Sequence, residues 1–196
     1  MTITMEEISK LRETTSAGMM DCKKALEEAK GDFDGAIEVL RKKGAATSAK
    51  RAERDAKEGL IVSYIHNNRI GTLLEFNCET DFVALNEDFK SLANDLAMHI
   101  TATSPEYVAS SDVPVEVINK EKEIESALLK DAGKPDSVID KILVGKIEKF
   151  YSKVCLMKQP YVKNPDITIE DLLNEKTAAI GEKISVRRFV RFELGK

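Results

Sequence analysis
Residues 60–78 read LIVSYIHNNRIGTLLEFNC. Apolar side chains fall at alternate positions on both sides of Asn67-Asn68. A period of two is that of a β-strand with one buried face. Asparagine tolerates the positive φ angles of a tight hairpin turn, so the pair is read as the turn joining two antiparallel strands. In the second strand Ile70, Thr72, Leu74, Phe76 and Cys78 share one face, which predicts Cys78 as a buried thiol.

The strand runs into NCETDFVA, residues 77–84, and a helical pattern follows. Phe89, Leu92, Ala93, Leu96, Ala97 and Ile100 recur at a 3.6 period, with Asn86 as the cap. A phenylalanine at such a junction, Phe82, has two readings. On pattern alone it is a staple tucked into its own core as the helix starts. Alternatively it faces outward for a partner. Beyond this helix, residues 111–130 carry Val115, Ile118 and Leu128 behind Pro114. Gly133 and Pro135 break the pattern, and Val138, Ile142 and Ile147 continue it to Phe150. Residues 158–167 hold Pro160 and Pro165 and are read as irregular. Thr168 starts another short helix. KISVRRFVRFEL alternates again and predicts a closing strand, with Ile184, Val186, Val190, Phe192 and Leu194 on one face and Arg187, Phe189 and Arg191 on the other.

Upstream, residues 1–44 read as three short helices. Thr4 to Glu7 forms a capping box, and Met5, Ile8 and Leu11 mark one face. Met19, Cys22, Leu26 and Ala29 mark the second helix, and Gly31 suits the left-handed residue after its end. Asp34 is the expected cap of the third helix and Gly44 its stop. The unit has the look of small ubiquitin-associated-like domains. Residues 45–58 are rich in Ala, Lys and Arg and read as a linker or an exposed helix. The architecture expected is α+β: a three-helix domain at 1–44, a basic and polar linker at 45–58, and a core at 59–196. That core is a small antiparallel sheet covered by helices, with a helical segment embedded at about residues 112–151.

Composition narrows the function. The 196 residues are 42% hydrophobic and 33% charged, with net charge -4. That balance points away from a dedicated nucleic-acid or anionic-membrane binder, and no stable nucleic-acid binding is expected. No apolar run approaches the roughly 18 residues of a membrane span. The N-terminus carries neither a signal-peptide nor a transit-peptide pattern, and Cys22, Cys78 and Cys155 read as free thiols of a reducing cytosol, so a cytoplasmic location is expected. There is no phosphate loop, GxGxxG, HExxH, CxxC or GxSxG motif. No catalytic residue, metal site or cofactor is expected. His66 and His99 read as structural or solvent-facing.

Four collinear segments resemble one family. LRETTSAGMMDCKKALEEAKGD (11–32), NCETDFVA (77–84), KFYSKVCLMKQPYV (149–162) and RRFVRFELG (187–195) are similar to stretches of bacterial elongation factor Ts. The resemblance implies a guanine-nucleotide exchange factor for elongation factor Tu that binds no nucleotide itself and is not an enzyme. It implies that Thr80, Asp81, Phe82 and Val83 reach the GTPase near its Mg²⁺ site, with the aromatic wedged between two helices. It also implies that the N-terminal unit docks through Arg12, Met19 and Met20. Long family members carry two related core subdomains. This chain has one hairpin and one closing strand, so it resembles the short form, and a homodimer is expected to replace the second subdomain. The competing reading is a ubiquitin-type or RNA-binding adaptor, based on the three-helix unit and on Lys50, Arg51 and Arg54.

Overall fold
The computed structural model describes residues 3–15 and 17–196. Three helices open the chain: α1 (Met5–Thr15), α2 (Met19–Glu28) and α3 (Phe33–Arg51). The capping box is present: the Thr4 amide donates to the Glu7 carboxylate at 2.8 Å, and the Glu7 amide donates to Thr4 Oγ1 at 3.3 Å. Ile8, Leu11, Cys22, Ala25, Leu26, Ala36 and Leu40 form a small core. Met5 does not join it and is exposed. Gly31, at φ 86°, takes the left-handed position after α2.

Two expectations about α3 are corrected. Its cap is Asp32, whose carboxylate accepts from the Gly35 amide at 3.1 Å, and not Asp34. Gly44 does not stop it. The helix continues to Arg51, so only residues 52–57 link it to the sheet. Gly44 instead permits close packing: a β-carbon there would lie 3.2 Å from the Asn174 carbonyl oxygen of a later helix. One continuous helix thus has its first half in the small core and its second half against the main body.

Strands β1 (Glu58–His66) and β2 (Ile70–Cys78) pair antiparallel around Asn67 and Asn68, both at positive φ. A one-turn helix α4 (Asp81–Ala84) and the long α5 (Glu87–Thr103) follow. The Asn86 side chain caps α5, as expected. Helices α6 (Val115–Asp131) and α7 (Asp136–Val154) form the embedded antiparallel pair. Val115, Leu128 and Val138 are exposed there, while Leu129, Ile139 and Ile147 are buried. Within residues 158–167, expected to be irregular, lies most of a small hairpin of β3 (Pro160–Tyr161) and β4 (Asn164–Thr168). Helix α8 (Ile169–Ile180), with Thr168 and Asp171 as its capping box, leads to β5 (Ile184–Glu193).

The main sheet has the order β1-β2-β5. Its inner face, carrying Leu74, Phe76 and Cys78, packs on Phe89, Leu92, Leu96 and Ile100 of α5 and on Leu172 and Leu173 of α8. Phe76 and Phe89 stack at 4.6 Å. The predicted faces of β5 are corrected. Glu75 pairs with Arg188 but Phe76 pairs with Val186, so Arg187 is a bulge. A bulge adds one residue and swaps the two faces beyond it. Ile184 and Val186 point inward, as expected. Past the bulge the inward residues are Phe189 and Arg191, while Val190, Phe192 and Leu194 are exposed. Arg191 donates to the Thr101 carbonyl at 3.2 Å, at the end of α5, where a cation suits the helix dipole.

Candidate functional site
The turn from β2 to α5 carries the four residues expected at the site. Each has a different environment. Ala84 is buried and Val83 packs on the core, which fixes the back of α4. Asp81, Phe82 and Leu85 face outward, and Phe82 is 81% exposed. The staple reading is therefore wrong: the aromatic ring touches little of its own fold. An isolated four-residue helix is unstable in water, so its surroundings must hold it.

Thr80, at the start of α4, makes no capping bond to that helix. Its amide donates to Glu182 Oε2 at 3.0 Å and its hydroxyl to Glu182 Oε1 at 2.7 Å. Its carbonyl accepts from the Cys78 thiol at 3.1 Å. Burial, reinforced by the charge of Glu182, pushes that thiol up to about 11, so Cys78 is a neutral donor. The neighbouring Glu79 carboxylate accepts from the Lys183 amide at 2.6 Å, the chief reason its carboxyl lies below the ordinary value. Glu79 also pairs with Arg54 at 3.1 Å and Arg51 at 3.5 Å. Arg51 donates to the Gly181 carbonyl, and the Lys183 ammonium donates to the Ala52 and Arg54 carbonyls. The ends of α3, β2 and α8 meet in this knot at Glu79 and Thr80, just before Phe82 in the chain.

The N-terminal residues separate by exposure. Met19 is half-buried against the small core, whereas Met20 is 63% exposed and Arg12 is exposed. Arg12 and Met19 line one groove with Ser9, Glu13 and Asp88, the last from the first turn of α5. The three-helix unit and the first turn of α5 therefore flank a common groove. Sequence reasoning missed Asp88, Glu79 and Glu182 at this site. Among the described residues no group of three or more His, Cys, Asp and Glu could hold a metal ion. No helix among them is long and apolar enough to cross a membrane.

Comparison with known proteins gives the family. The family model described as "Elongation factor TS" matches residues 3–196. The chain is 58% identical over 195 residues to elongation factor Ts of Carboxydothermus hydrogenoformans, covering 99% of this chain and 90% of that protein. It is 56% identical to the same factor of Thermodesulfovibrio yellowstonii, covering 100% and 98%. With that of Fervidobacterium nodosum it shares 55% identity over the full length of both. The chain belongs to the elongation factor Ts family and is a translation elongation factor.

Proposed function
We propose that the protein is a guanine-nucleotide exchange factor for elongation factor Tu, acting in the cytoplasm, and that Phe82 is the residue that drives GDP out. The exposure of Phe82 on a braced one-turn helix carries the reading. Burying a phenylalanine is worth roughly 1.5–3 kcal/mol, enough to shift packed helices between discrete arrangements. Displacing the elements that hold Mg²⁺ and phosphate removes the main counter-charge of GDP. Linkage makes the effect reciprocal: a factor that prefers the empty GTPase must weaken GDP to the same degree. Asp81 faces the disturbed site, Thr80 and Val83 anchor the turn, and Arg12, Met19 and Met20 dock the N-terminal unit on the same GTPase.

The adaptor reading loses support. Of the three basic residues behind it, Arg51 and Arg54 pair with Glu79 within the fold, which leaves Lys50 alone exposed without that role. The homodimer is proposed on the outer sheet face, where Ile61, Ile65, Leu73, Val190 and Phe192 lie exposed together. A second copy covering that face would supply the missing layer. The test of function is release of labelled GDP from purified elongation factor Tu, with and without this protein. A release rate unchanged by the protein would refute the proposal.

A further inference from the structure
The geometry points to Glu182 as a positioning residue for exchange, one that acts through Phe82 by fixing the pitch of α4. This rests on the exchange-factor reading and adds a residue 102 positions from Thr80 in the chain. An N-cap threonine ordinarily accepts from its own helix's amides. Here the Thr80 hydroxyl is turned away and donates to Glu182. With the amide donating as well, both oxygens of one carboxylate grip one residue. Charge-assisted bonds of this kind are short and directional. Val83 and Ala84 hold α4 from the core side, so the Glu182 clamp fixes the remaining freedom, rotation of the turn about that anchor. A wedge that must enter between two helices gains from being held rigid before contact.

The clamp is also joined to the docking unit. Glu182 sits between Gly181, whose carbonyl accepts from Arg51, and Lys183, whose amide donates to Glu79 and whose ammonium caps the end of α3. Since α3 begins in the small N-terminal core, the docking surface and the wedge share one rigid support.

Glu182→Gln keeps the shape but leaves one acceptor where two are used. Initial rates of GDP release are to be measured with this protein limiting and the elongation factor Tu–GDP complex varied. The maximal rate should fall about tenfold while the half-saturating concentration moves less than about twofold. On a Phe82→Ala background the same change should have no further effect, because the pair acts as a unit. Thr80→Val should reproduce the loss and Thr80→Ser should restore activity, both with melting temperatures near wild type. If Phe82→Ala abolishes stimulation but Glu182→Gln is fully active, the positioning role is wrong and the wedge stands. Losses that simply add in the double variant would also overturn it. Full activity in Phe82→Ala would remove the reading beneath both.

Discussion
Phe82 and Phe192 are both largely bare, at 81% and 70% exposure, yet their settings differ. Phe192 lies on a flat strand face among Ile61, Ile65, Leu73 and Val190. Phe82 stands on a single helical turn, with hydrogen-bonded carboxylates behind it. A flat apolar face is covered by another broad surface and contributes through area. A lone aromatic on a rigid stalk enters a cleft and contributes through displacement. Under the proposed function the same side chain serves adhesion in one place and leverage in the other.

The sharpest way to break this contrast is to remove each ring in turn. Phe82→Ala should slow stimulated GDP release by roughly 10- to 100-fold, the equivalent of the burial energy of one ring. Thermal unfolding should show its melting temperature unchanged, because the ring packs on little. Phe192→Ala should leave maximal exchange near wild type.

The sheet that carries Phe192 and leads into the Phe82 turn has a vulnerable point in Gly59. Its φ is +141°, and a β-carbon there would lie 2.2 Å from the Phe76 carbonyl oxygen. Gly59→Ala should cost at least about 2 kcal/mol in urea unfolding, through strain and backbone clash together. Adhesion is tested by Phe192→Asp. Light scattering at micromolar concentration should give twice the 21.8 kDa chain mass for wild type and a single-chain mass for the variant. A wild-type mass of one chain, independent of concentration, would remove the dimer.

The smallest effect is expected at His99, buried between α5 and residues 159–162. Its Nε2 is 3.0 Å from Gln159 Oε1, and its Nδ1 accepts from the Val162 amide at 3.3 Å, which makes the ring neutral. Burial holds its pKa below the ordinary value. The unfolded chain therefore binds the proton more readily. Stability from this group is complete above about pH 6.5 and is lost as pH falls through that value toward the folded pKa. Urea midpoints between pH 7 and 5 should decline more steeply for wild type than for His99→Gln.

Elements written in local sequence were legible, and those set by distant pairing were not. The alternation around Asn67-Asn68 and the caps at Thr4, Asn86 and Thr168 depend on near neighbours. The bulge at Arg187 does not: the doublets Arg187-Arg188 and Phe189-Val190 interrupt the alternation of ISVRRFVRF, but only the register with β2 shows which residue is extruded and that the faces swap. Gly44 has the same appearance whether it ends a helix or lets Asn174 approach, and only the neighbouring helix decides. The hairpin at 160–168 was hidden by Pro160 and Pro165, which sit in a short two-stranded piece outside the main sheet. At the site, an aromatic at a strand-to-helix junction was conspicuous. Glu182 was not, since a single acid after a helix-ending glycine carries no local sign of its partner.

In the proposed function docking and displacement are separate tasks, with Phe82 performing the second. Binding of Phe82→Ala protein to the GDP complex of elongation factor Tu and release of labelled GDP should be followed in the same sample at saturating factor. The complex is expected to form while GDP leaves near its unassisted rate. A complex that forms and releases GDP as fast as with wild type would contradict it.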